Sequence, residues 1–181
     1  MNKEIKILQL VHDAFEDLEL WYPVYRLQEY GAVVHLIGEQ QDIYTGKHGV
    51  PAKAEYAFGD VNPEFYDAIL VPGGWAPDKL RRKEDVLHII KSMDAEKKLI
   101  GTICHGGWVL ISAGIVRGRR ITGTPAIKDD LMNAGAQWVD EPAVRDENII
   151  SAQRPPDLPR YMHLFIAALN ERFGTPGASK D

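Results

Sequence analysis

Short, almost continuously apolar runs alternate with segments of helical spacing along most of this 181-residue chain. Runs such as residues 6–11 and 99–103 lack the polar alternation of a strand with one face in water. Strands of that kind are buried on both sides, and intervening helices supply the crossovers that parallel neighbours need. The chain is therefore predicted to be an α/β protein, with a mostly parallel sheet and helices on both faces.

The periodicity also predicts where most elements lie. Gly31 is expected to end the first helix. Residues 40–55, rich in glycine and charge, are expected to form a hairpin or an excursion. No repeat or linker divides the chain, so a single domain is predicted over residues 1–173, with a flexible tail at 174–181. Strands are predicted at 6–11, 32–37, 65–71, 99–103 and within 137–151, and helices at 18–30, 83–96, 108–113, 127–134 and 158–173.

Composition excludes several classes of function. A net charge of −5 argues against a broad phosphate-binding surface, so no nucleic-acid partner is expected. No apolar run approaches the roughly 20 residues of a membrane helix, and no secretory signal is visible. A single cysteine forms no internal disulfide, which favours a reducing, cytoplasmic location. No two of the six histidines lie three to five residues apart, so no compact metal site is expected.

The lone cysteine, Cys104, stands where a predicted strand meets a predicted helix. A nucleophile on such a turn is held exposed above the sheet, and Gly106 and Gly107 allow the turn because they lack side chains. The match to a nucleophile elbow is partial, because Thr102 stands where a glycine is usual. The helix that follows favours thiolate, so the Cys104 pKa is expected below its usual value. The alternative is a small buried side chain at a strand end.

Other strand ends carry candidates for the same site, because ligands of such sheets bind beyond the carboxyl ends of the strands. His105 is either an acid/base or a polar residue at the pocket edge. The amides of Gly73 and Gly74 form either an oxyanion hole or an ordinary turn. The acids in FEDLE either cap the next helix, or one of them, Glu16 or Glu19, lies beside the thiol.

Several motifs in order resemble the ThiJ/PfpI superfamily, in its PfpI-like intracellular protease branch. The resemblance covers about residues 5–173. It implies a flavodoxin-like three-layer sandwich, related to class I glutamine amidotransferases. The segments that carry it are DAFEDLELWYPVYRLQEYG, FYDAILVPGGWAPDKLR, ICHGGWVLISAGIVRGRRITG, IKDDLMNAGAQWVDE and a DLP near the end.

The resemblance assigns roles to four residues. Cys104 would be the nucleophile and His105 its neighbour. Glu19, four residues before Pro23, would be the acid beside the thiol. A carboxylate contributed by the neighbouring subunit would orient the histidine, and Asp78 stands at that position. The resemblance therefore implies a homodimer or a higher homo-oligomer, although some members carry a longer glutamate there.

The chain also departs from the family pattern. Gly107 replaces the usual proline after CHG, and Trp108 follows it, where core packing is favoured over narrowing of the pocket. Near the C-terminus, the chain reads Ala152-Gln153-Arg154-Pro155 where many members read Ser-Arg-x-Pro. If the family's arginine lines the pocket, this change alters substrate preference.

An ionised Glu19 would repel a thiolate, so the expected arrangement has Glu19 protonated and donating to sulfur. The resemblance implies a cysteine-nucleophile hydrolase or hydro-lyase without metal or cofactor. Its substrates would be small carbonyl compounds or glycated protein, as in glyoxalase III or deglycase activity of the stress response. The amides near Gly74 and His105 would hold the oxyanion. The residues expected to line the oxyanion and substrate site are Gly73, Gly74, Glu16 and Arg154.

Two alternatives remain open from the sequence. One is an intracellular peptidase that uses Cys104, His105 and Asp78 from a partner chain. The other is a redox sensor or chaperone, because a lone reactive thiol can stop at sulfenic or sulfinic acid.

Overall fold

Seven strands form the central sheet of the computed structural model, which describes residues 3–174. Their order along the sheet is β10-β11-β7-β6-β1-β2-β5. All neighbouring pairs are parallel except β10 and β11, which form an antiparallel edge. The mostly parallel sheet predicted from the apolar runs is therefore confirmed. The strands are β1 (Lys6–Leu10), β2 (Val33–Gly38), β5 (Tyr56–Ala57), β6 (Ala68–Val71), β7 (Leu99–Ile103), β10 (Ala143–Asp146) and β11 (Ile149–Ala152).

Helices cover the sheet on both faces, as predicted. Helix α1 packs on α6 and β2, and α6 also contacts β7, β10 and β11. Helix α3 packs on β6 and β7 and against α4, which contacts α2 and α5. These contacts follow from the apolar stripe of each helix. The helices are α1 (Asp17–Tyr30), α2 (Ala76–Leu80), α3 (Glu84–Ala95), α4 (Gly107–Ser112), α5 (Lys128–Asn133) and α6 (Leu158–Phe173).

The ends of α1 illustrate why local sequence sets these boundaries. Glu16 is the N-cap residue, and its carboxylate accepts a hydrogen bond from the Glu19 N–H at 2.9 Å. Gly31 ends the helix with a φ of +96°, in the left-handed region that glycine adopts without strain. The predicted helix stop at Gly31 is confirmed.

Residues 40–55 contain the predicted hairpin, built from β3 (Ile43–Thr45) and β4 (Pro51–Lys53). Asp17 fixes the tip of this hairpin, because its carboxylate accepts hydrogen bonds from the N–H groups of His48 and Val50, each at 2.9 Å. A Cβ at Gly46 would lie 2.4 Å from Asp17 Oδ1, so only glycine allows the close contact. The first turn of α1 therefore holds the tip of the hairpin.

Some boundaries differ from the prediction. The strand expected at 65–71 begins only at Ala68, because Phe65 lies in the 3₁₀ turn Pro63–Phe65 and is 72% exposed. The short helix α2 was not expected, and neither was the small parallel pair of β8 (Arg120–Ile121) with β9 (Gln137–Trp138). Of the predicted tail, only Gly174 belongs to the described residues.

None of the helices within residues 3–174 combines the length and the apolar character needed to cross a bilayer.

Candidate active site

The candidate site lies at the carboxyl edge of the sheet, where neighbouring parallel strands end together. Cys104 follows β7 directly, and Gly73 comes two residues after the end of β6. The loop that follows β1 reaches the same edge, because Phe15 forms an isolated bridge with Gly74. Three separate segments therefore meet around the thiol, as expected for an open α/β sheet.

Cys104 sits on a strained turn. Its φ is +59°, which side-chain-bearing residues rarely adopt, and it opens a 3₁₀ turn, Cys104–Gly106, that leads into α4. A Cβ at Gly106 would lie 2.6 Å from Thr102 Oγ1 and 2.8 Å from the Val71 carbonyl oxygen. The glycine after the thiol is thus required by close packing, which agrees with an elbow that presents a nucleophile.

Glu19 lies beside the thiol and is 1% exposed. Its Oε2 accepts a hydrogen bond from the Gly73 N–H at 2.8 Å, whereas Oε1 is buried without a partner among the described residues. A Cβ at Gly73 would lie 2.2 Å from Glu19 Oε2 and 3.2 Å from Cys104 Sγ. The acid and the thiol therefore flank one point, and glycine at position 73 leaves the room for both.

The Glu19 carboxyl is a weak acid in this setting. Burial, together with the negative charge of Glu16, raises its pKa to about 8, against the lowering effects of the Gly73 N–H and the Lys47 charge. At neutral pH Glu19 is therefore mainly protonated, as the sequence led us to expect. Its proton has a place on Oε1, the oxygen that accepts no other hydrogen bond.

The pKa of Cys104 departs from the expectation. Burial, with an added contribution from the charge of Glu19, raises the pKa of the thiol to about 12. The N–H groups of His105 and Gly74 hydrogen-bond the sulfur and lower the pKa, but they do not offset burial. The expected lowered pKa is wrong, because the following helix has only six residues and its effect is small beside desolvation. The resting thiol is protonated.

His105 is folded back onto the thiol, which the sequence alone left open. Its Nδ1 lies 3.3 Å from Cys104 Sγ, and the positive φ of Cys104 allows this contact between adjacent residues. Partial burial and the charge of Lys47 lower the His105 pKa, against a raising effect of Asp130. The ring is neutral at pH 7 and can accept the thiol proton through Nδ1.

The backbone of Gly74 completes the site. Its φ is +73°, and a Cβ there would lie 2.4 Å from the Ala14 carbonyl oxygen and 2.5 Å from the Glu16 nitrogen. This close approach brings the Gly74 N–H to the sulfur, where the His105 N–H also points. Both N–H groups therefore act on the sulfur, and an oxyanion hole formed by them stays a prediction.

Three predicted site residues have other contacts within the chain. The Asp78 carboxylate is 57% exposed and pairs with Arg82 at 2.8 Å, and no hydrogen bond joins it to His105 within the described residues. Glu16 caps α1, and its Oε1 lies 3.8 Å from His48 Nε2. Its charge raises the pKa of Glu19, which lies beside the thiol. Arg154 is exposed, and it follows β11 at the same edge of the sheet as Cys104.

Sequence reasoning missed three residues that shape the site. Asp17 holds the hairpin tip, Lys47 on that tip acts on the charges of Glu19 and His105, and Trp75 lies against the His105 ring. The only signal for the first two was the glycine-rich hairpin itself, and the position of Trp75 after PGG was the signal for the third. Across residues 3–174, His, Cys, Asp and Glu side chains form no group of three that could hold a metal ion.

The parallel sheet, the strained turn and the converging amides define an α/β protein of the nucleophile-elbow class. Comparison with known sequences narrows this class, because the DJ-1/PfpI family pattern matches residues 5–168. The chain belongs to the DJ-1/PfpI family, as the sequence motifs implied.

Similar sequences come from archaea and bacteria. The chain is 44% identical over 165 residues to Deglycase PH1704 of Pyrococcus horikoshii and 42% identical over 165 residues to Deglycase PfpI of Pyrococcus furiosus. Each match covers 91% of this chain and 99% of the relative. YraA of Bacillus subtilis, named as a candidate cysteine protease, is 40% identical over 159 residues, covering 87% of this chain and 93% of YraA.

Solved structures show the same fold. A two-domain protein of Anabaena variabilis, with DJ-1/ThiJ/PfpI-like and ferritin-like domains, superposes with a TM-score of 0.90 at 34% identity. The match covers 98% of this chain and half of that longer one. DJ-1beta of Drosophila melanogaster superposes with a TM-score of 0.86 at 23% identity, over 95% of this chain and 92% of that one, which is evidence for the fold alone.

Proposed function

We propose that this protein is a cysteine enzyme that acts on reactive carbonyl compounds without a cofactor, with deglycase or glyoxalase III-type activity. The observation that carries the proposal is a carboxylic acid held protonated beside a thiol: Glu19, with a pKa of about 8, next to Cys104. The relatives from Pyrococcus, which match over nearly their whole length, are named deglycases. Small carbonyl compounds or glycated proteins are therefore the proposed substrates.

The first step is attack of sulfur on the carbonyl carbon. Because the Cys104 thiol is protonated at rest, its proton must leave as the S–C bond forms. The neutral His105 ring accepts that proton at Nδ1, which lies 3.3 Å from the sulfur. The π electrons of the carbonyl group move onto its oxygen, which becomes an alkoxide.

The second step neutralises this alkoxide. In this proposal the N–H groups of Gly74 and His105, which lower the pKa of the Cys104 thiol, also stabilise the negative oxygen. Glu19 then donates its proton to the oxygen, which gives a neutral hemithioacetal. The carboxylate left on Glu19 is balanced by the imidazolium of His105.

A peptidase is the second candidate, and the 3.3 Å contact between Cys104 and His105 favours it. Such a base can also protonate an amine leaving group, and YraA carries a protease name. A redox-sensing role has less support, because oxidation requires thiolate and the Cys104 pKa is raised.

A homodimer or higher homo-oligomer, a cytoplasmic location and a single domain over residues 1–173 are further proposals. The first two come from the family resemblance and from the single cysteine, and the third from the absence of a linker. Light scattering at micromolar concentration tests the first, and a monomer with full activity would contradict it.

The deciding experiment compares the wild type with Cys104→Ala on methylglyoxal, with lactate as the measured product, and on a fluorogenic peptide. We expect lactate from the wild type and only background from Cys104→Ala. The control is Phe65→Ala, an exposed aromatic residue in the turn before β6, which should keep full turnover. Turnover retained by Cys104→Ala would overturn the proposal, and cleavage of the peptide alone would establish the peptidase.

A further inference from the structure

Two aromatic side chains lie against the His105 ring. The Trp75 ring centroid lies 5.2 Å from that of His105, at an interplanar angle of 42°. The Trp108 centroid lies 4.9 Å away, at 62°, in an edge-on arrangement. Within residues 3–174 of this single chain, the ring's hydrogen bond is the one between Nδ1 and Cys104 Sγ. Contacts with the two indoles add to the orientation that this hydrogen bond gives the ring.

Trp108 is itself fixed on two sides. Its Nε1 donates a hydrogen bond to Asp130 Oδ2 at 2.8 Å, and the Arg81 guanidinium lies 5.5 Å from the centre of its ring. Arg81 is held in turn, because its Nε donates to Ser112 Oγ at 2.9 Å. These contacts tie the Trp108 indole to α2, α4 and α5 at once. An indole anchored in this way offers His105 a rigid wall.

We propose that Trp108 is a positioning residue that holds the His105 imidazole against the Cys104 thiol, with Trp75 as a second wall. The role rests on the proposed function, in which His105 accepts the thiol proton. It is additional to the role that the family resemblance implies for Asp78 of a neighbouring subunit, which stays a prediction. Within the chain the Asp78 carboxylate pairs with Arg82, whereas Trp108 touches the ring directly.

Two physical effects follow from the walls. They restrict rotation of the imidazole, so Nδ1 stays within reach of the thiol proton. They also keep water from part of the ring, which contributes to the burial that lowers the His105 pKa. The charged groups around the ring are Lys47 on the hairpin tip and Asp130 on α5, with Arg81 beyond Trp108. Loss of Trp108 leaves the first two in place, so its effect on the pKa is separable from theirs.

The test uses three variants. Trp108→Ala removes the wall, and Trp108→Phe keeps a ring but removes the hydrogen bond to Asp130. Trp138→Ala is the matched control, because Trp138 is also partly buried but lies on β9 with Lys128 over its ring. Thermal melting shows which variants fold.

Three readouts are measured for each variant: kcat and KM on methylglyoxal, the pH dependence of Cys104 alkylation by iodoacetamide, and the His105 pKa by NMR. We expect Trp108→Ala to lower kcat by about 10- to 100-fold with little change in KM. Its His105 pKa should rise towards the usual value, and alkylation at neutral pH should slow. Trp108→Phe should lie between Trp108→Ala and the wild type, and Trp138→Ala should match the wild type.

The proposal is overturned if Trp108→Ala keeps the kcat and the His105 pKa of the wild type, or if Trp138→Ala changes them equally. Alkylation and NMR need no substrate, so they test Trp108 even if methylglyoxal is not turned over. Absence of turnover in the wild type would count against the proposed function, not against the position of His105.

Discussion

Strand β7 has a cluster of charged groups near each end, and the acids of the two clusters differ in whether a cation pairs with them. At its start, Arg119 lies 3.4 Å from Asp94 and 2.9 Å from Glu147, and Asn148 donates to Asp94 at 3.0 Å. Lys97 donates to Glu147, and with the nearby Arg119 it lowers the Glu147 pKa. At this end of β7, each of the two acids therefore lies within ion-pair distance of a cation.

At the end of β7, Glu19 is buried with no cation bonded to it among the described residues, and the charge of Glu16 lies near it. The raised pKa is the result, and the proton stays on the acid. Pairing at the first end favours stability, whereas the lack of pairing at the second end keeps a transferable proton at neutral pH. The paired end of β7 therefore stabilises the sheet, whereas the unpaired end keeps an acid available for chemistry.

The largest expected effect separates the two ends by activity. Glu19→Ala should lower kcat on methylglyoxal by about 100- to 10,000-fold, because it removes the proposed proton donor. Asp94→Ala should leave kcat close to the wild-type value. Steady-state kinetics at pH 7 measure both. Equal losses of kcat in the two variants would mean that the two clusters do not differ in function.

The next effect concerns stability at the paired end. Arg119→Ala leaves Asp94 with its hydrogen bond from Asn148 but without its ion-pair partner, so the free energy of unfolding should fall by up to about 3 kcal/mol. Urea denaturation measures the loss, and Arg119→Lys is the control that keeps the charge. The double variant with Asp94→Ala should recover part of the loss. If Arg119→Ala is as stable as the wild type, the pairing has no structural role.

At the end of β7, replacement of Glu19 by a side chain that does not ionise should stabilise the fold. In the unfolded chain Glu19 ionises near its usual pKa of 4.5, whereas the folded protein holds the proton until about pH 8. The unfolded state thus binds fewer protons between these values, and stability falls as pH rises through this window. Because glutamine does not ionise, Glu19→Gln should raise the free energy of unfolding by roughly 3 kcal/mol at pH 7.

The pH dependence is the check on that gain. Below pH 4.5 both states of the wild type are protonated at Glu19, so the advantage of Glu19→Gln should vanish there. Denaturation at pH 4.5 and at pH 8 measures the difference, with Asp94→Asn as a control. A gain independent of pH would mean that packing, not ionisation, is responsible.

The smallest effect is on the thiol. Because the charge of Glu19 raises the Cys104 pKa, Glu19→Gln should shift the titration of Cys104 towards lower pH. The rate of alkylation by iodoacetamide, followed from pH 6 to pH 11, reports this shift. Asp94→Asn at the far end of β7 should leave the curve in place. A shift to higher pH would mean that the Glu19 proton stabilises the thiolate.

Much of the fold was predictable because its signals are local. The bounds of β7 and α6 agree with the apolar runs, since a doubly covered strand and a long amphipathic helix both leave clear patterns. The start of β6 was wrong because Phe65 is apolar but exposed, and composition does not report burial. The helix α2 was missed because it has only five residues.

The site was less predictable because it depends on distant contacts. The motifs indicated Cys104 and Glu19, but the direction of the thiol pKa depends on burial by segments far apart in the chain. The folding of His105 onto the sulfur depends on one backbone angle at Cys104. The two tryptophans beside His105 lie 33 positions apart, and the local sequence around each does not indicate that they meet at the same ring.

One turn of α1 carries both Asp17, which grips the hairpin tip, and Glu19, which lies beside the thiol. Because both residues belong to one turn, a displacement of the hairpin tip would also move Glu19, the proposed proton donor. Shortening the hairpin would then remove the contacts of Asp17 and, through the shared turn, misplace the acid.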